Sequence, residues 1–233
     1  MHVAGHTLCL AHLNPGSRAA YLAALSPGSD VDHRGTTFDG LLLTELLHAL
    51  RDPTTGRPHL GTAQFNGATF SADAQFDSAT FSADARLNGA TFSADARFRG
   101  ATFSAEAQFR SATFSADARL NGATFSADAQ FDRATFSADA RLNGATFSAD
   151  ARFRGATFSA DARFRGATFS ADAWFDRATF SANAWFDRAT FSANARFERA
   201  TVTDPNELTY EGTVSGRDRL LRLDLPHLPL PRT

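Results

Sequence analysis

Apolar anchors recur along this chain in steps that alternate between five and six residues. The series starts Phe65, Phe70, Phe76, Phe81, Leu87, Phe92, Phe98, Phe103, Phe109, Phe114 and continues in the same rhythm to Phe197 and Val202. The unit is eleven residues long, in variants such as ATFSADARFRG, ATFSADAQFDS and ATFSADARLNG. A helix turns by about 100° per residue, so these steps would rotate the chain by roughly 140° and 240°. Successive anchors would then share no stripe, and Thr and Ser in every unit, usually with Gly, suit helix interiors poorly. An ordinary antiparallel sheet fails too. Strict alternation lasts only through Ala-Thr-Phe-Ser-Ala before its phase must reset.

A chain that bends after every five or six residues satisfies the pattern. Four short faces close a square coil of 22 residues, or two sequence units. Anchors 22 apart, such as Phe70, Phe92, Phe114 and Phe136, then stack in one column with neighbouring coils about 4.8 Å apart. The 26 anchors make about 6.5 coils, a rod roughly 30 Å long. Phe columns fill the interior and Ala permits tight corners. Each buried anchor contributes roughly 2 kcal/mol before entropy.

The flanks break the rhythm. Residues 1–60 read as a helical head, 61–202 as the solenoid, and 203–233 as a cap and tail. In the head, Ser17 is expected to cap a helix from Arg18 to Leu25 that ends at Pro27-Gly28. Thr37 is expected to cap a second helix whose apolar stripe is Leu41, Leu42, Leu46, Leu47 and Leu50, ending near Arg51 and Pro53. This helix is expected to cover an end of the solenoid, because an open end coil exposes core and unpaired backbone. The tail holds a candidate strand pair around Leu208–Val214, the basic stretch RDRLLR at 217–222, and a Pro-rich end. An end coil left open by the tail would permit a homodimer joined through the solenoid end.

A central Phe or Leu, with Ala two positions before it and a small residue two after, resembles the pentapeptide repeat family. Ala68-Thr69-Phe70-Ser71-Ala72 and Ala151-Arg152-Phe153-Arg154-Gly155 carry that likeness. It implies an all-β fold, a right-handed quadrilateral parallel β-helix. The family norm is five residues per face. Here every second face has a sixth residue, usually Asp, as at Asp73, Asp84 and Asp95, which we place at a corner.

Composition narrows the function. The 23 basic residues are all Arg, which suits a GC-rich, bacterial coding bias more than a functional demand. The net charge is −2, and residues 62–201 hold 15 acidic and 15 basic side chains. That balance opposes nucleic-acid binding and membrane attraction. It also opposes a DNA-mimicking topoisomerase (gyrase) binder, a role the family resemblance implies, because a mimic should be clearly acidic. One cysteine excludes an intramolecular disulfide. The N-terminus lacks a leader pattern, and the apolar run at 41–50 is too short to span a bilayer, so the expected setting is the cytoplasm.

Candidate chemistry is sparse. His2, His6, Cys9 and His12 cluster, with Cys9 and His12 at metal-ligand spacing, but no second Cys pair completes a Zn²⁺ site. The carboxylate columns Asp73, Asp95, Asp117, Asp139, Asp161 and Asp84, Glu106, Asp128, Asp150, Asp172 could bind Ca²⁺, yet they read more simply as corner residues accepting backbone N–H groups. Thr and Ser beside alternate anchors make two flat ladders, which raises ice binding as a further alternative and exposed-strand preference as the plain one. Trp174 and Trp185 stand where Arg or Gln usually does, and exposed Trp favours interfaces. No catalytic motif, phosphate loop or cofactor signature appears, and a dry interior offers no pocket. The expected role is a non-enzymatic scaffold for an unknown protein partner, with Trp174 and Trp185 as contact residues.

Overall fold

Each unit bends twice, and the two bends differ. After Phe65 the chain turns through Asn66-Gly67, and the Ala68 N–H donates to the Phe65 carbonyl at 3.0 Å. Gly67 has φ +64°, the left-handed conformation that the third residue of a type II turn requires. The bend after Phe70 runs through Ser71-Ala72-Asp73 and is one residue longer, so the sixth residue does lie at a corner.

A computed structural model describes residues 9–203 and 208–209. These bends fold the repeat into a parallel β-solenoid of about seven turns with four sheets. In chain order, the first face stacks Ala63–Gln64, Ala85–Arg86 and their successors to Ala195–Arg196. The second stacks Thr69–Phe70 to Thr201–Val202, the third Ala74–Gln75 to Ala184–Trp185, and the fourth Thr80–Phe81 to Thr190–Phe191. Register is a 22-residue translation, as in Thr113↔Thr135 and Phe114↔Phe136. Inside, Phe92 and Phe114 stack with ring centroids 4.8 Å apart and planes 1° apart. Neighbouring columns meet edge to face, as Phe92 and Phe98 do at 5.9 Å.

The ladder reaches back into the non-repetitive head. Val31–Asp32 pairs with Ala63–Gln64, Thr37–Phe38 with Thr69–Phe70, and His59–Leu60 with Thr80–Phe81. The third side of this first coil is not a strand. Helix α2, Gly40–Ala49, stands there and packs on the Ala74–Gln75 strand. Helix α1, Pro15–Ala23, and a 3₁₀ turn, Leu10–His12, lie over the same end, with Leu10 and Leu13 buried.

Both helix starts differ from the expectation. Asn14, not Ser17, caps α1, accepting the Ser17 N–H at 2.8 Å, and Pro15 suits the first helical position. Asp39, not Thr37, caps α2 by accepting the Leu42 N–H at 2.7 Å, because Thr37 is taken up by strand pairing. Leu41 is 67% exposed, on the side of Thr44, Glu45 and His48, and Leu43 takes its place in the buried stripe with Leu42, Leu46, Leu47 and Leu50. In the tail, Leu208–Thr209 extends the third face by pairing parallel with Ala184–Trp185. RDRLLR, the Pro-rich end and the rest of the expected strand pair lie outside the described residues.

Candidate interaction surfaces

Stacking by translation turns each outward position into a column. Within the repeat, columns on the second and fourth faces hold Thr and Ser and no charge. Charged side chains gather on the first and third faces and their corners.

On the third face, Asp and Arg interleave into a continuous ladder. Arg97 bridges Asp73 and Asp95, the latter at 3.6 Å. Arg119 bridges Asp95 and Asp117 at 2.7 and 3.1 Å, and Arg141 bridges Asp117 and Asp139 at 3.1 Å each. Arg163 joins Asp139 to Asp161 at 3.3 and 2.8 Å. Burial pushes the Asp161 carboxyl up, but hydrogen bonds from Arg163 and Asn183 outweigh it and hold the group below the usual carboxylate value. The first face is a broken version. Arg86 meets Asp84, Arg152 bridges Asp128 and Asp150, and Gln108 and Gln130 donate to Glu106 between them. The Asp columns therefore pair mainly with Arg. Backbone N–H bonds of the expected kind occur at Asp73, which accepts from Asp95 N at 3.3 Å, and at Asp172, which accepts from Asn194 N at 3.1 Å. Among the described residues no three His, Cys, Asp or Glu side chains gather as a metal site.

Trp174 and Trp185 occupy Arg positions in these ladders and are half-buried. The Arg154 guanidinium lies 3.4 Å from the Trp174 ring centroid, with Arg152 and Arg196 at 5.2 and 5.6 Å. Arg163 and Arg165 lie 5.1 and 4.9 Å from the Trp185 centroid. Each Trp thus exchanges ion pairs for cation–π contacts. Asn183 and Asn194 replace the Asp of the repeat pattern, and each donates to the Asp one coil below. Eleven residues are half a coil, so the structure places the two Trp residues on opposite faces of the rod instead of in one patch. Leu41 is the one large hydrophobic side chain exposed among the described residues.

In the head, the Cys9 thiol lies 2.9 Å from His12 Nδ1, while His2 and His6 lie outside the described residues. Sequence reasoning missed His33, which fills the Phe anchor position of the first coil. It is 1% exposed, sits edge-on to Phe38 at 5.6 Å, and lies 3.3 Å from the Tyr21 hydroxyl through Nε2. Burial drives its pKa down to about 4, against the opposing charge of Asp32. Also missed were Arg133, Arg177, Arg188 and Arg199. They hold the left-handed turn position, where Gly stands in most units, with φ between +56° and +57°. The signal was present as Arg where the eleven-residue pattern otherwise puts Gly or Ser.

Among the described residues, no helix is long and apolar enough to cross a membrane. Neither the curated proteins nor the solved structures contain a match. A profile described as pentapeptide repeats (9 copies) matches residues 60–102, 92–135, 120–168, 131–179 and 153–201. Those segments cover most of the 233-residue chain and all of its complete coils, and the alternating five- and six-residue faces keep the central Phe or Leu and the Ala two before it. The chain therefore belongs to the pentapeptide repeat family.

Proposed function

We propose that this protein is a non-enzymatic scaffold that presents its rigid wall to a protein partner in the cytoplasm. The carrying observation is the filled interior. The anchors from Phe65 to Phe191 are at most 3% exposed, so side chains available for recognition lie on the outer columns. Binding pockets are concave with convergent polar groups, and the ladder carboxylates instead spread along a wall and are tied to Arg. That same alternation weighs against an acidic DNA mimic, because the carboxylates are neutralised coil by coil.

Trp174 and Trp185 are the contact residues of this reading. Their positions on opposite faces call for a partner that clasps the C-terminal part of the rod. Affinity capture from the source lysate tests this with wild type, Trp174→Ala, Trp185→Ala and the double variant. A stoichiometric partner weakened by each single change supports a clasp. Capture that is absent, or indifferent to both Trp residues, overturns it.

A further inference from the structure

The corner after the first face carries a groove of about 690 Å³ whose lining includes six Arg side chains against Asp132, Asp176 and Glu198. Arg133, Arg177 and Arg199 stand one above another on this corner, each exposed and each at φ +57°. Gly67, Gly89 and Gly155 hold the equivalent position without strain. The three guanidinium groups have no ion pair or hydrogen bond among the described residues, unlike the Arg side chains of the ladders. Neither backbone preference nor an intramolecular contact accounts for Arg at these sites.

The carboxylates in the groove only partly offset this charge. Arg110 and Arg154 lie 4.0 and 3.7 Å from Asp132 and Asp176. Those two carboxylates also accept backbone N–H bonds from Arg154 and Glu198, at 3.2 and 3.1 Å, which ties them to the wall. Arg152 is held by Asp128 and Asp150 outside the groove, and the other five Arg still outnumber its three carboxylates, so the groove has an excess of guanidinium on an otherwise balanced rod. Four coils separate Arg110 from Glu198, about 20 Å along the axis.

We propose that this corner binds a linear inorganic polyphosphate chain laid along the rod. A guanidinium fork matches phosphate oxygens, and a row of such groups suits a ligand charged on every unit. A single-stranded nucleic acid would also need stacking surfaces for its bases. The groove lining carries no aromatic side chain. An acidic peptide would find no apolar side chain in the groove lining.

The test is anisotropy of end-labelled polyphosphate, several tens of units long, with the full chain, beside melting temperature. Wild type should bind, with affinity that falls steeply as salt rises. The Arg133→Gly/Arg177→Gly/Arg199→Gly variant should bind at least tenfold more weakly while melting at the same or a higher temperature, since Gly relieves the turn. Arg188→Gly, at the same strained position on the opposite corner, should bind like wild type. The proposal is overturned by no binding near 0.15 M salt, by equal binding of the triple variant, by orthophosphate or tripolyphosphate competing as well as the long chain, or by tighter binding of a single-stranded oligonucleotide.

Discussion

Arg119 lies 2.7 Å from the Asp95 carboxylate of the preceding coil while also holding Asp117 of its own coil at 3.1 Å. One guanidinium thus ties two coils together, and the same contact repeats along the third face. Replacing it with a neutral side chain leaves two carboxylates stacked with one fewer counter-charge. Arg119→Gln should cost about 1 kcal/mol at low ionic strength, more than an isolated surface pair. The loss should shrink in 1 M NaCl, where the Debye length is about 3 Å. Denaturant titrations at the two salt concentrations measure it, and a salt-independent difference would refute the electrostatic account.

The Phe columns tolerate Leu in four places, Leu60, Leu87, Leu120 and Leu142, all fully buried. Phe114 stacks between Phe92 and Phe136 at 4.8 and 4.7 Å. Phe114→Leu should therefore cost less than about 1.5 kcal/mol. Phe114→Ala should cost about 3–5 kcal/mol, because a rigid wall cannot collapse into the space. Equal losses in equilibrium unfolding would mean that stacking, not volume, sets the cost.

At Gly122, φ is +64° and an added Cβ would meet no atom within 4 Å. The penalty for Gly122→Ala is then conformational, about 1–2 kcal/mol. Gly122→Asn should recover part of it, since Asn enters the left-handed region more readily. Thermal melts of the two variants decide; an Asn variant worse than Ala would point to a steric cause.

His33 should make the N-terminal cap sensitive to acid. Its folded pKa, about 4, lies below the usual 6.5, so folding favours the neutral ring. The stability it supports is whole above pH 6.5 and is lost as pH falls toward 4, roughly 3 kcal/mol over that window. The groups facing it are the Tyr21 hydroxyl, itself pushed up to about 12 by burial, and Asp32. His33→Phe fills the same anchor position with a ring that does not titrate. The difference in melting temperature between wild type and this variant should widen from pH 7 to pH 4.5. A constant difference would show that the imidazole does not control the cap.

Much of the rod was written in the order of its residues. Because every unit repeats, pairing is a translation by 22 residues, and the five-six rhythm alone assigns Phe70, Phe92 and Phe114 to one column and Asp73 to a corner. The opposite placement of Trp174 and Trp185 was legible in the same way, as a separation of half a coil. The head has no period to translate. Only the folded chain could pair Val31 with Ala63, 32 residues on, set α2 in place of a strand, and put His33 in a Phe position. The side-chain partners were likewise beyond a linear reading. Asp73 and Arg97 are 24 residues apart, and which carboxylate an Arg bridges depends on the depth of the corner and the reach of the side chain. Local spacing determined the backbone because repetition makes local and long-range order the same thing. Tertiary structure decided the charges and the cap, where contacts depend on three-dimensional distance between residues with no shared period.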